Sequence, residues 1–373
     1  MFRPVNQRVS ILITIALINL SLFFWVSSSR SPKYSLGYKQ KIESAELFNE
    51  SIDIIREYQI LRENFVIDKE DDPFLSGLIG PSTTLITTSL ANLRSKQTTI
   101  NPNIAAMVVQ LFYESKLKPG DTVAVGMTGS FPALNIAFLS ACKVMNITPI
   151  VISSVGSSRW GATDPYFTWL DMETLLYNEG VINSKSIAAS YGGVADRAKG
   201  LKSEGIDFLW EAIYRNKINF LESNKLSSAI EKRLAEYNKI LSINKYNAYV
   251  NIGGAAASIG QSVNAKLIPN GVSSSNDIGD LIGNSVIKEF LINDVKIIHL
   301  YNTIELAMKY QLKVFPDKFY DLGNGPIYFE QRYNMLYTYI ALLITLSILV
   351  GISVVTHKQI KVRMTSHESE SLL

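Results

Sequence analysis

Cysteine and histidine are nearly absent from this 373-residue sequence, which holds one cysteine, Cys142, and three histidines. A single thiol excludes an intrachain disulfide framework, and with so little imidazole it also excludes a Cys/His metal site, so no metal is expected. Cys142 falls inside an apolar helical run and reads as a small buried residue. An excess of charge is missing too. The net charge is +3 and the aromatics are dispersed, so nothing resembles a nucleic-acid surface. No GxGxxG, P-loop, HExxH, CxxC, EF-hand loop or GxSxG elbow occurs, and no cofactor is implied.

Long apolar runs, in contrast, stand at both ends. Val9 to Val26 is uncharged and follows Arg3 and Arg8; Leu336 to Val355 is followed by Lys358, Lys361 and Arg363. Each approaches the roughly 20 residues that span a bilayer. The first run could alone be a cleaved signal peptide, with Ser27 to Ser29 as small residues at the cut. The second is too long, too apolar and at the wrong end for that. The expected organisation is a tail (1–8), a transmembrane helix (9–26), a domain (27–335), a second transmembrane helix (336–355) and a tail (356–373). Basic outer flanks put both tails in the cytoplasm and the domain outside a cell membrane crossed twice, since charges on a long intervening domain carry little weight.

The domain is organised around residues 122–158. Thr122 to Met127 is a Val-rich strand, Phe131 to Val144 has helical spacing, and Thr148 to Ser153 is a second β-branched strand. Thr128, Gly129 and Ser130 form the first turn, with Pro132 just inside the helix, where its missing N–H costs nothing. Ser154, Ser157 and Ser158 follow the second strand. Hydroxyls, a glycine and free helix N–H groups make a carboxylate or phosphate site; the same residues also serve as ordinary caps. A second strand, Ala248 to Ile252, enters Gly253, Gly254 and Ser258 in the same manner. The two strand-to-glycine turns call for one shared sheet, and the fold class expected is α/β, a doubly wound, mostly parallel sheet with a Rossmann-like ligand edge.

Other elements follow from periodicity. Tyr38 to Asn64 and Ile104 to Lys116 read as helices, Thr168 and Asp171 have capping-box spacing, and Leu226 to Leu241 is amphipathic. Val295 to Leu300 is a strand ending in His299, and Thr303 to Tyr310 a helix. Thr83 to Thr99, dense in hydroxyls with Arg94 and Lys96, reads either as a strand edge and loop or as a source of polar groups and positive charge for the Ser130 turn. His299 is the only imidazole in the domain. A Ser-His-Asp hydrolase would therefore need Ser130, or another loop serine, with His299 and either Asp164 or Asp196. A structural His299 is the competing reading.

Four blocks carry a resemblance: TGSFPALN (128–135), SSRWGATDPYFTWLDME (157–173), YGGVADRAKGL (191–201) and VNIGGAAASIG (250–260). In order and spacing they resemble the poly-gamma-glutamate system protein family, bacterial membrane proteins encoded beside poly-γ-glutamate synthesis genes. The similarity runs from about Thr83 to about Pro326. It implies a capsule-type anionic polymer as ligand and the membrane-bound synthase complex as partner, and it leaves the reaction open. An accessory role in synthesis, export or anchoring, a serine-type γ-glutamyl hydrolase or transferase, and a sugar-phosphate or nucleotide-binding module are the readings that stand.

Overall fold

The computed structural model describes residues 8–62, 67–315 and 317–370. In chain order its elements are α1 (Val9–Ser28), β1 (Ser31–Tyr34), α2 (Tyr38–Ile60), β2 (Thr87–Ser89), α3 (Leu93–Thr99), α4 (Asn103–Ser115), β3 (Thr122–Thr128), α5 (Pro132–Met145), β4 (Thr148–Ser154) and β5 (Ser157–Ser158). Then come α6 (Trp169–Asn178), β6 (Ser186–Ser190), α7 (Ser203–Arg215), β7 (Asn219–Phe220), α8 (Leu226–Ile240), β8 (Ala248–Ile252), α9 (Ala256–Ile259), α10 (Asn264–Leu267) and β9 (Gly271–Ser273). The chain closes with α11 (Val286–Ile292), β10 (Lys296–Leu300), α12 (Thr303–Lys309), β11 (Phe329–Arg332) and α13 (Met335–Glu370). They fall into two compact units, residues 35–328 and the two ends of the chain.

In the terminal unit, α1 and α13 are each long and apolar enough to cross a membrane. The two helices are joined side by side. The Thr345 hydroxyl donates to Asn19 Oδ1 at 2.7 Å, and the Trp25 and Tyr337 rings stack at 4.9 Å. β1 and β11 form an antiparallel ladder, Ser31 facing Arg332 through Tyr34 facing Phe329. The second helix continues past the expected end at Val355 to Glu370, because no Gly or Pro occurs after Gly351 to stop it. Parts of the expected tails, residues 1–7 and 371–373, lie outside the described residues.

The larger unit is α/β with a mostly parallel seven-stranded sheet in the order β7-β6-β4-β3-β8-β10-β9. Every neighbouring pair is parallel except β10 with β9. The two strands that end in glycine turns, β3 and β8, are direct neighbours, with Val123 beside Ala248 and Gly126 beside Asn251. From β3 the chain moves outward through β4, β6 and β7; it then returns to β8, crosses to β9 at the far edge and comes back to place β10 between those two.

Strand chemistry explains the centre of the sheet. Val123, Ala124, Val125 and Met127 are fully buried, as a parallel strand covered on both faces requires. Helix α5 brings Phe138 edge-on to Phe112 of α4 at 5.7 Å, and α2 packs on both helices. Ala124, Ile152, Tyr249 and Ile297 share a different core with Tyr237 of α8 and Phe290 of α11. Tyr249 and Phe290 stack there at 4.6 Å, and the Tyr237 hydroxyl donates to Val125 O at 2.7 Å, so the buried phenol is satisfied. The predicted helix from Tyr38 ends at Ile60; its expected last residues, Glu63 and Asn64, lie outside the described residues. The chain leaves this unit where it entered, with Ser35 N–H donating to Tyr328 O at 2.9 Å.

Candidate functional site

The carboxyl ends of the central strands open on a cavity of about 610 Å³. Thr128 and Ser130 reach it after β3, Ser154 and Ser158 after β4, Gly193 after β6, Gly254 after β8 and Tyr301 after β10. Much of the remaining wall is the segment from Thr88 into α3, ending at Lys96. This is the edge, and the point of reversal in strand order, at which open parallel sheets receive ligands.

The loops after β3 and β4 are locked to each other. Gly129 N–H donates to Ser154 O at 2.9 Å, Ser158 N–H to Ser130 Oγ at 3.0 Å, and Ser157 Oγ to Gly129 O at 3.0 Å. Gly129 is required by this approach: a Cβ there would lie 2.5 Å from Val155 O. Pro132 occupies the first turn of α5, and the Asn135 amide donates back to Thr128 O at 2.9 Å. At the start of α5, Pro132 has no N–H and Asn135 N–H bonds Phe131 O at 3.0 Å, which leaves Ala133 and Leu134, neither of them in the cavity wall, without a carbonyl one turn behind.

Lys96 is the only charged side chain in the cavity wall among the described residues. It is 2% exposed, and its ammonium donates to Ser130 O and, at 2.8 Å, to Ser158 Oγ. The same nitrogen stands 3.7 Å above the centre of the Phe131 ring. No carboxylate pairs with it among the described residues. Burial without a counterion pulls the amine down from 10.5 to about 7. The placement of Lys96 follows from its backbone: β2 pairs with β5, and α3 starts four residues later with Asn92 as its N-cap. Of the two cations read in Thr83 to Thr99, Lys96 reaches the Ser130 turn, whereas Arg94 donates to Phe315 O at 2.6 Å.

Beneath Ser154 lies a buried ion pair. Arg233 of α8, 1% exposed, bonds both oxygens of Asp196 at 3.1 to 3.2 Å and donates to Ser154 Oγ at 2.9 Å and Ser190 Oγ at 2.7 Å. The charge of Asp196 is therefore spent inside the fold, on fixing the ends of β4 and β6. A second buried carboxyl, Glu173 of α6, accepts Ser186 N–H and Oγ–H, each at 2.9 Å. Burial lifts it to about 7 against the pull of those bonds and of Lys185.

The other sequence candidates divide by position. Thr128, Ser130, Ser154, Ser158 and Gly254 line the cavity; Gly129, Ser157, Gly253 and Ser258 do not. Gly253 has φ 87° and presses so close to Thr128 Oγ1 that a Cβ would stand 2.3 Å away. The Ser258 hydroxyl is 2.7 Å from the Tyr249 phenol, in the space left by Gly126. Asp164 pairs with Arg62 at 2.6 Å. His299 sits on β10 outside the cavity wall, with its Nδ1 3.1 Å from the Asn251 amide and its ring 5.5 Å from that of Tyr301. Its Nε2 has no hydrogen-bond partner among the described residues, and burial draws the imidazole down to about 4. The structure therefore gathers Ser130 and Ser158 around Lys96, and it places His299, Asp164 and Asp196 in three separate settings.

No group of three or more His, Cys, Asp or Glu residues arranged to hold a metal occurs among the described residues. No family model matches the chain, and no curated protein and no solved structure is significantly similar to it.

Proposed function

We propose that the chain is a two-pass membrane protein whose α/β domain, wound on both faces of its sheet and held outside the cytoplasmic membrane, binds a carboxylate-bearing ligand in the cavity beside Lys96. One observation carries this reading. A buried amine in a hydroxyl-lined wall, with no carboxylate to neutralise it, is complementary to an anion brought from outside. Lys96 supplies the charge for a carboxylate, and the Ser130 and Ser158 hydroxyls stand beside it in the wall. The four sequence blocks that resemble the poly-gamma-glutamate system proteins suggest the γ-glutamyl chain as that ligand. They also suggest an accessory role beside the membrane-bound synthase in making, exporting or anchoring the polymer.

The reading is tested by thermal unfolding of the full chain in detergent with γ-glutamyl oligomers, α-glutamyl oligomers, phosphate esters or an uncharged amide analogue. Each hydrogen bond to a charged group contributes roughly 1.5 to 3 kcal/mol, so a matched oligomer raises the melting temperature and Lys96→Gln abolishes the rise. An equal response to the uncharged analogue, or a response unchanged in Lys96→Gln, refutes it. A rise with phosphate esters alone would move the assignment to phosphoester binding.

A further inference from the structure

We infer that Ser158 and Lys96 form a catalytic serine–lysine pair, Ser158 Oγ being the nucleophile and Lys96 the general base for acyl transfer from an amide in the cavity. The proposal rests on the carboxylate-binding reading for its substrate class, a γ-glutamyl amide. Serine-based chemistry needs a base within hydrogen-bond reach, and Lys96 Nζ lies 2.8 Å from Ser158 Oγ. His299 plays no part, since it bonds Asn251 outside the wall. Ser158 opens on the cavity, and its backbone is pinned by the bond from its N–H to Ser130 Oγ at 3.0 Å. Lys96 is held a second time through Ser130 O.

The groups facing Lys96 explain why it can serve. Phe131 of the α5 turn covers it, Ser130 and Ser158 bond it, and Tyr301 is the only other titratable side chain in the wall among the described residues. No carboxylate there holds the amine protonated, and burial brings it to about 7, so a large share is a free base at neutral pH. The two functions of Lys96 use its two forms. The ammonium draws the anionic chain in; it then releases its proton to solvent, and the neutral amine that results activates the serine.

The steps balance without any further reagent than water or an acceptor amine. Ser158 Oγ bonds to the amide carbonyl carbon while its proton passes to Lys96 Nζ. The carbon–nitrogen bond then breaks, and Lys96 returns that proton to the leaving amine, with an ester left on Ser158. Water, or the amine of a second chain, adds to the ester carbonyl and gives its proton to Lys96. The ester bond breaks and Ser158 Oγ recovers the proton, so that hydrolysis or transfer is complete. Ser130 Oγ has its oxygen engaged by Ser158 N–H and keeps its own proton to donate to the oxyanion.

The test is phosphonylation of the detergent-solubilised full chain by a fluorophosphonate, located by peptide mass spectrometry and timed from pH 5.5 to 9. Attack by Ser158 forms the phosphorus–oxygen bond and expels fluoride, with the serine proton taken by Lys96. One adduct on Ser158 is expected, at a rate that climbs about tenfold per pH unit below 7 and levels above it. Ser158→Ala should carry none, and Lys96→Met should react at least about 100-fold more slowly. An adduct on another serine that persists in Ser158→Ala, a rate equal in Lys96→Met, or no adduct on folded protein overturns the proposal. If Lys96→Met does not fold, the wild-type profile decides: a rate flat with pH overturns it. Ligand-induced melting shifts are measured on the same wild-type samples. An adduct without a shift upholds the pair and removes the polymer reading; a shift without an adduct does the reverse.

Discussion

Replacing Lys96 by methionine should change how stability depends on pH, and the size of the change follows from burial. The folded state holds the amine at about 7, against 10.5 for an ordinary lysine. Below pH 7 the amine is protonated both folded and unfolded, and the fold bears the whole cost of the buried charge. Between about pH 7 and 10.5 the unfolded chain binds a proton that the fold does not. Wild-type stability attributable to Lys96 must therefore rise with pH through that window and be flat below it. At about 1.4 kcal/mol per pH unit the full displacement is worth roughly 5 kcal/mol, of which roughly 2.5 appears between pH 7 and 9. With Lys96 at 2% exposure, solvent screening removes little of this. For a domain of this size each kcal/mol moves the melting temperature by about 1.5 to 2 °C, so the wild type should gain roughly 4 °C on Lys96→Met between pH 7 and 9. The assay is paired thermal unfolding of both full-length proteins from pH 6 to 10, the difference cancelling all other titrations. A saturating anionic ligand should move the rise of the wild-type curve to higher pH, since an anion beside the amine favours its protonated form. A constant offset between the two proteins over the whole range would refute the reasoning.

Asp196→Asn leaves the Arg233 guanidinium buried without its counterion and should destabilise by about 3 to 5 kcal/mol in denaturant unfolding, while Asp196→Asn with Arg233→Met should recover part of the loss. Equal stability of the single variant and wild type would contradict the buried pair. For topology, the proposed extracytoplasmic placement expects protease added to spheroplasts to digest residues 35–328 and spare both apolar helices. Protection of the domain would reverse that orientation.

The part of the molecule that sequence alone conveys is the part with local signals. Thr122 to Thr128 and Thr148 to Ser154 announce themselves by β-branched runs, and α5 by Pro132 at its first turn. The Thr168–Asp171 box recurs as Thr168 N–H bonding Asp171 Oδ2 at 2.7 Å. The apolar end helices are legible for the same reason. The decisive site residue was visible only as one of two cations in a hydroxyl-rich stretch. Nothing local separates Lys96 from Arg94; the pairing of β2 with β5, some 70 residues apart in sequence, settles which one turns inward. Arg233 was concealed by a helix whose polar positions read as solvated, because its partner Asp196 belongs to a different loop. Glu173 was concealed likewise, since only the arrival of Ser186 makes its burial tolerable.

The bond between Ser35 and Tyr328 has a consequence for the order in which the protein assembles. Once folded, residues 35–328 present their two ends as adjacent atoms, so the whole domain acts on the terminal segments as a clamp of nearly zero length. Unfolded, the same residues are a free loop, and closing a loop of some 300 residues costs roughly 5 kcal/mol in chain entropy. The Asn19–Thr345 bond is worth about 1 kcal/mol in a membrane and cannot meet that alone. Folding of the domain removes that closure cost, so a domain-unfolding substitution should weaken the helix pair, which the Asn19–Thr345 bond, the Trp25–Tyr337 stack and the β1–β11 ladder must then hold alone.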